Sequence, residues 1–149
     1  MEITVYLAGQ IHDPWREKLR ELAEKRDLPI AFVSPMENHE RSDNIGEEIL
    51  GEQATPLLKD ETASQMNNLR TRVWMRRADV VVAYFGEKYK QWNTAMDAGA
   101  ALAEGTPLIL IRDEGASSHA LKELSQRAQV TVETLEQAVA ALSYIFERE

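Results

Sequence analysis

Residues 78–111 read ADVVVAYFG, EKYKQW and NTAMDAGAALAEGTPLILI in succession. The apolar run bounded by Asp79 and Gly86 is typical of a strand that is buried on both faces. A helix rich in small residues is predicted to follow through Glu104, and Gly105 marks its end. Residues 108–111 are a second buried strand. The stretch therefore predicts a strand–helix–strand unit of a parallel sheet.

The same alternation of strands and helices continues on both sides of this unit. Strands are predicted at Ile3–Leu7, Ile30–Val33 and Val130–Val132, and helices at about 14–26, 45–50, 62–77, 117–127 and 134–146. Asp13-Pro14 and the Thr62–Gln65 capping box supply two of the helix starts. We therefore expect a three-layer α/β/α fold, with a parallel, doubly wound sheet of about five strands that is flavodoxin- or Rossmann-like. A single domain over residues 1–149 suits this length.

Residues 34–64 are the least regular part of the chain. No apolar period persists there, apart from a possible short helix at Ile45–Leu50. Long irregular segments are uncommon in compact domains, and they usually act as lids, binding loops or interfaces. We expect one of these roles for the segment.

Composition excludes several classes of function. The chain has 17 basic and 25 acidic residues, a net charge of −8, which argues against a nucleic-acid polymer as partner. Cysteine is absent, so disulfides and thiolate chemistry are excluded. No apolar run reaches the length of a membrane span, and the chain begins without the pattern of a signal peptide. We expect a cytoplasmic protein without membrane contact, and no motif predicts a metal or another cofactor.

Polar side chains follow the predicted strands at the edge where ligands bind in parallel sheets. Topology brings together at this edge Gly9, Gln10, His12, Asp13, Glu37, His39, Asn68, Phe85, Trp92, Asn93 and Asp97. We take these residues as the candidates for a site.

Most candidates also have a purely structural interpretation. Gly9 either forms an ordinary turn or lets a ligand approach the backbone. His12 and His39 are more often solvated loop histidines than proton donors or ligands of a metal. Phe85 and Trp92 either stack on a base or pack in the core.

Asp97 is the candidate on which the functional interpretation depends most. With Asn93 as the N-cap it would lie about one turn into its helix, where the helix dipole favours an anion. Its neighbours are small or apolar, and a charge is rarely placed in such surroundings without a function. The residues alone support a structural and a functional role equally.

Two blocks carry a resemblance to the nucleoside 2-deoxyribosyltransferase superfamily, and in particular to its YtoQ-like branch. The family opens with a strand reading YxAG, and it carries Gly-Thr-x-x-Glu-x-Gly-x-Ala after a central strand. This chain has Tyr6-Leu7-Ala8-Gly9 and, later, Asn93-Thr94-Ala95-Met96-Asp97-Ala98-Gly99-Ala100-Ala101. The segment Gly105–Leu110 is similar to the family's Gly-Lys-Pro-aliphatic strand.

The resemblance implies a carboxylate nucleophile at Asp97, which attacks the anomeric carbon of a nucleoside. Aspartate is one methylene shorter than the family's glutamate, so its reach is ~1.5 Å less. Two further family acids fall on Gln91 and near Thr71, with Asn68 one turn earlier. None of these three can serve as an acid or base, although Asn68 and Asn93 can hydrogen-bond a sugar or a base. Glu37 and Asp13 are alternative proton donors to the leaving base.

The function expected from the sequence is binding of a nucleoside or nucleotide, with cleavage or transfer of its N-glycosidic bond through Asp97. The site would comprise Gly9, Gln10, His12, Glu37, Asn68, Phe85, Trp92 and Asn93 around that carboxylate. One alternative is an inactive nucleotide-binding sensor of the same fold, and another is a partner-binding α/β domain. The resemblance also implies a homo-oligomer, a dimer or higher.

Overall fold

The computed structural model describes residues 1–86, 91–113 and 119–149. The strands are β1 (Ile3–Ala8), β2 (Ile30–Val33), β3 (Val80–Phe85), β4 (Leu108–Arg112) and β5 (Val130–Val132). The helices are α1 (Trp15–Lys25), α2 (His39–Leu50), α3 (Pro56–Arg77), α4 (Trp92–Ala103), α5 (Lys122–Arg127) and α6 (Leu135–Tyr144). The five strands form one sheet in the order β2-β1-β3-β4-β5, and every pair is parallel. The predicted α/β class, with about five strands, is confirmed.

The chain winds in both directions from β1. That strand pairs with β2 on one side, where Val5 lies opposite Phe32, and with β3 on the other, where Val5 lies opposite Val80. The strand order therefore reverses beside β1, and ligands bind at the carboxyl ends of strands at such a reversal. The loops after β1 and β3 meet at this point.

Helices cover both faces of the sheet, because every central strand is apolar on both sides. One core packs α1 and α6 against the sheet and is centred on Trp15, Leu19, Val139 and Leu142. The other core packs the C-terminal end of α3 and the small residues of α4 against Tyr6, Val81 and Leu108. Both cores position the termini of α1 and α4 at the same edge.

The segment 34–64 is more regular than its sequence indicates. Asn38 caps α2 by accepting a hydrogen bond from the Arg41 N–H, 2.9 Å away, so this helix starts six residues before the predicted Ile45. The prediction that a capping box at Thr62 starts a helix was wrong, because α3 begins at Pro56. Its N-cap is Thr55, whose hydroxyl accepts from the Leu58 N–H at 3.2 Å. Thr62 lies inside the helix and donates to the Lys59 carbonyl oxygen at 3.0 Å.

Two other helix starts differ from the prediction. Helix α4 begins at Trp92, after Gln91 in a left-handed conformation with φ 53°, so Asn93 is not the N-cap. Helix α5 begins at Lys122. Its predicted start at Ser117 lies outside the described residues. In the described part of the chain, no helix has both the length and the apolar character that crossing a bilayer needs.

Candidate functional site

A cleft of about 760 Å³ opens at the strand reversal. The loop after β1 forms its floor, α2 and the first half of α3 form one wall, and the start of α4 forms the other. The lining residues of the described chain are Gly9, Gln10, Ile11, His12, Pro35, Met36, His39, Ser42, Asp43, Asp60, Ala63, Ser64, Asn67, Asn68, Thr71, Gln91, Trp92, Asn93, Thr94, Met96 and Asp97. The volume is within the range of about 300–1,000 Å³ that is usual for small-molecule sites.

Asp97 lies on this lining as the sixth residue of α4. Its side chain is half-buried, and within the described residues no hydrogen bond reaches its carboxylate. Burial raises the pKa of Asp97 from its ordinary 3.8 to about 6, although the charge of Arg16 opposes this shift. The structure therefore holds a carboxylate at the cleft that accepts no hydrogen bond from the rest of the described chain. A raised pKa of this kind is common at functional sites.

Tyr6 lies beneath the cleft with its side chain fully buried. Its hydroxyl donates a hydrogen bond of 3.3 Å to Thr71 Oγ1, and Thr71 is itself a lining residue. Burial raises the pKa of Tyr6 to about 12, and the negative charge of Asp97 acts in the same direction. Tyr6 therefore stays neutral at physiological pH, as a proton-bearing group close enough to Asp97 to sense its charge.

The sequence analysis missed Arg16, which stabilises the floor of the cleft. Its side chain is 1% exposed, and its guanidinium lies 4.7 Å from the ring centre of Trp15. It donates to three carbonyl oxygens, those of Leu7 at 3.1 Å, Gly9 at 2.6 Å and Gln10 at 2.6 Å. Burial lowers the pKa of Arg16 to about 10, which still leaves it charged at neutral pH. A buried arginine fixes the loop because its planar fork of donors matches several acceptors at once.

The backbone at Gly9 has no room for a side chain. A Cβ atom at this position would lie 2.6 Å from the Trp15 ring. Packing against Trp15 is a reason for glycine that the sequence analysis did not consider, beside the turn and the approach of a ligand, and the residue also lines the cleft. Next to it, Gln10 donates to Asp13 Oδ2 at 3.3 Å, which leaves its buried Oε1 without a partner within the described chain. An unsatisfied buried acceptor costs about 1–3 kcal/mol, so a donor on a ligand would be favoured there.

Two histidines from different elements meet on the lining. The ring centres of His12, in the loop after β1, and His39, at the start of α2, are 4.8 Å apart in an edge-to-face arrangement. His39 Nε2 lies 3.1 Å from Asp43 Oδ2, one turn further along α2. Among the residues that the structure describes, no three potential metal-ligating side chains cluster as a metal site requires.

Asn68, Trp92 and Asn93 also line the cleft, and all three are exposed. Phe85 does not line it, because it points into the core beneath α4 and is 3% exposed. A ring buried there cannot stack on a base in the cleft.

Glu37 also lies off the lining. Its Oε2 accepts from Arg20 at 2.9 Å and from Ser34 at 2.6 Å. Burial acts to raise the pKa of Glu37, but these hydrogen bonds and the charge of Arg20 outweigh it, so the pKa is lowered. Glu37 is therefore ionised at neutral pH and unsuited to donate a proton. Asp13 also has partners, because its Oδ1 accepts from the Trp15 N–H at 2.9 Å and its Oδ2 from Gln10 at 3.3 Å. The N-cap of α1 is Pro14 and not Asp13, which the sequence predicted.

Known proteins resemble this chain over most of its length. It is 62% identical over 149 residues, all of both chains, to protein YtoQ of Bacillus subtilis (strain 168). Among solved structures, a conserved protein from Enterococcus faecalis V583 matches with a TM-score of 0.64 and 17% identity, over 98% of this chain and 100% of that one. The 2-deoxyribosyltransferase from Bacillus psychrosaccharolyticus matches with a TM-score of 0.56 and 22% identity, over 93% of this chain and 95% of that enzyme.

The two structural matches, at this low identity, show a shared fold. The sequence comparison goes further, because the model of the family described as nucleoside 2-deoxyribosyltransferase YtoQ matches residues 6–146. That range includes both blocks in which the resemblance was found, at Tyr6–Gly9 and Asn93–Ala101. This chain belongs to the nucleoside 2-deoxyribosyltransferase YtoQ family.

Proposed function

We propose that this protein cleaves or transfers the N-glycosidic bond of a nucleoside, with Asp97 as the nucleophile. The observation that carries the proposal is a half-buried carboxylate, without a hydrogen bond from the described chain, at a cleft of about 760 Å³. Membership of the family supports chemistry on a nucleoside in general terms. Gly9, Gln10, His12, Asn68, Trp92 and Asn93 would bind the substrate.

In this mechanism the ionised carboxylate of Asp97 attacks C1′ of the sugar as the base departs, which leaves a glycosyl ester. Water or a second nucleobase then collects the sugar, giving hydrolysis or transfer respectively. Tyr6 stays protonated below this region, with its hydroxyl donating to Thr71, and does not compete for the proton. Arg16 favours the ionised form of Asp97 through its positive charge.

The charges of the lining favour a nucleoside over a nucleotide. Asp43, Asp60 and Asp97 contribute carboxylates, and no lysine or arginine within the described residues lines the cleft. Arg70 lies elsewhere and donates to the Ser34 carbonyl oxygen at 2.5 Å. A 5′-phosphate would therefore meet like charge there, and the described lining residues offer no lysine or arginine to pair with it.

The test is release of free base from a panel of ribo- and 2′-deoxyribonucleosides and their 5′-monophosphates, followed by liquid chromatography. We expect release from at least one nucleoside, weaker release from its monophosphate, and no release by Asp97→Ala. Asp27→Asn is the control, because Asp27 lies exposed in the turn after α1 with φ 53°, a conformation that asparagine tolerates. If Asp97→Ala retained release, Asp97 would not be the nucleophile.

A sensor that binds without turnover is the second candidate, and the amide and hydroxyl side chains on the lining favour it. The resemblance places the family's two further acids at Gln91 and near Thr71, with Asn68 one turn earlier. All three side chains line the cleft, and none of them is a carboxylate acid or base. This candidate predicts a nucleoside that binds in calorimetry without release of base, and with nearly unchanged affinity for Asp97→Asn. Neither binding nor release would favour the third candidate, a partner-binding domain.

We also propose that the protein assembles as a homo-oligomer, through a surface formed by α2 and α3. The apolar face of α6 is not available for this, because Ala138, Val139 and Leu142 are buried in the chain's own core. An apolar groove of about 420 Å³ is lined by Met36, Arg41, Ile45, Ile49, Met66, Asn67, Leu69, Arg70, Val73 and Trp74. Contiguous exposed apolar surface of this kind usually marks an interface. A cytoplasmic location remains a prediction from the sequence.

A further inference from the structure

Departure of the nucleobase needs a proton that the family's acid positions cannot supply in this chain. When the C1′–N bond breaks, its electron pair goes to the base, and a proton delivered to a ring nitrogen lowers the barrier. The side chains at those positions, Asn68, Thr71 and Gln91, are amides and a hydroxyl. Among the described residues, another group on the lining would have to supply the proton.

Within the described residues, the titratable side chains on the lining are His12, His39, Asp43, Asp60 and Asp97. They come from the loop after β1, from α2, from α3 and from α4, so all walls of the cleft are represented. Asp97 is used as the nucleophile, and Asp43 and Asp60 are exposed carboxylates. Imidazole is the side chain best suited to exchange protons near neutral pH. The two histidines remain.

Both histidines are exposed, and their rings nevertheless meet on the lining of the cleft. They come from elements far apart in the sequence, yet their centres are only 4.8 Å apart. Asp43 holds His39 through a contact of 3.1 Å between Oδ2 and Nε2. A carboxylate partner of this kind orients an imidazole and compensates the positive charge that it carries before it gives up a proton.

We propose that the His12–His39 pair, with His39 positioned by Asp43, delivers the proton to the departing base. This step rests on the proposed function. A carboxylate oxygen of Asp97 bonds to C1′, the C1′–N bond breaks, and the imidazolium transfers its proton to the ring nitrogen of the base. In hydrolysis, the neutral imidazole then takes a proton from the water that attacks C1′, and the Asp97 carboxylate is released. The pair ends the cycle protonated again.

The experiment compares two leaving groups, one that needs a proton and one that does not. The first substrate is the nucleoside that the wild type cleaves fastest. The second is its N7-methyl derivative if it is a purine, because that base already carries a positive charge. For a pyrimidine-specific enzyme the second substrate is 4-nitrophenyl 2-deoxyribofuranoside, because nitrophenolate departs without protonation.

The variants are the double change His12→Asn/His39→Asn, both single changes and Asp43→Asn. We expect the double variant to lower kcat on the first substrate by about 100-fold or more, while the activated substrate changes only a few-fold. Asp43→Asn should shift the ratio of the two rates in the same direction by a smaller factor. His119→Asn is the matched control, since this third histidine is exposed and lies off the lining.

Retained cleavage of the activated substrate also shows that each variant is folded. An equal loss on both substrates, or no loss on either, overturns the assignment of the proton donor while the proposed function stands. A wild type that releases no leaving group from any substrate overturns the proposed function, and this step with it.

Discussion

At the scale of the residue, burial outweighs the helix dipole in setting the pKa of Asp97. The interpretation from the sequence placed it one turn into its helix, where the dipole would lower its pKa. In the structure it is the sixth residue of α4, beyond the first turn in which the dipole acts. Desolvation is the largest influence, so the pKa rises to about 6. In the proposed function, this carboxylate is the nucleophile.

This shift predicts how stability depends on pH. Because the pKa of Asp97 is about 6 in the folded protein and 3.8 as its ordinary value, the native state binds more protons than the unfolded state between those pH values. The contribution of this group to the free energy of unfolding is therefore present below pH 4 and lost as pH rises through 6. Asparagine cannot ionise, so Asp97→Asn does not lose stability as the pH rises. We therefore expect the variant to be more stable than the wild type by about 1–3 kcal/mol at pH 8.

Urea denaturation of both proteins at pH 4 and pH 8 tests this prediction. The difference should be small at pH 4 and fully present at pH 8. Asp27→Asn is the matched control, and it should follow the wild type at both values. A difference between Asp97→Asn and the wild type that is the same at pH 4 and pH 8 contradicts a raised pKa.

At the scale of the element, the wall of the cleft depends on close packing between α2 and α3. Gly46 is buried where the two helices meet, and a Cβ atom there would lie 2.5 Å from the backbone nitrogen of Ala63. Backbone atoms cannot move aside to make room for a Cβ atom, whereas the end of a flexible side chain can. The absence of a side chain at this position is what allows α2 to approach α3.

Two substitutions of glycine by alanine separate packing from helix propensity. Gly99, in α4, has no atom within 4 Å of a Cβ placed on it, so Gly99→Ala should stabilise the protein by about 0.5–1 kcal/mol. Gly46→Ala gains the same propensity but forces the helices apart, and we expect a net loss of about 1–3 kcal/mol. Chemical denaturation measures both changes. Stabilisation by Gly46→Ala equal to that by Gly99→Ala would show that the two helices are not in close contact.

At the scale of the whole molecule, the outer face of α2 and α3 leaves apolar side chains in water. Leu69 is 65% exposed and Val73 45% exposed, and both line the apolar groove. The chain carries a net charge of −8, which by itself favours separate molecules. Burial of this groove against a second copy would offset that repulsion through the hydrophobic effect.

Sedimentation at micromolar concentration tests the proposed assembly. We expect the wild type to sediment at a multiple of the chain mass of 16.9 kDa, and Leu69→Lys to sediment as a single chain. Leu57→Lys is the control, because Leu57 lies on the same helix and is 66% exposed but does not line the groove. If the wild type sediments as a single chain at all concentrations, the proposed homo-oligomer is contradicted.

The sequence by itself determined the sheet and the edge of the sheet at which Asp97 lies. Continuous apolar runs and the stops at Gly9 and Gly105 are local signals, and parallel topology brings the strand ends to one edge whatever the details. For this reason Gly9, Gln10, His12, Trp92, Asn93 and Asp97 could be assigned to that edge, and all of them line the cleft. Asn68 also lines the cleft, but it does so from the middle of α3, because this helix begins earlier than predicted, at Pro56.

Only the tertiary structure decided the walls of the cleft and the partners of its charged groups. Helix α3 fully buries only Ala63 and Met75, so its sequence shows no apolar stripe, and its start at Thr55-Pro56 was missed. Arg16 has the local pattern of a surface residue, and its burial follows from three carbonyl oxygens that converge when the loop after β1 folds over it. Periodicity records which face of an element is buried, whereas the partners of a polar side chain depend on segments that only the completed fold brings together.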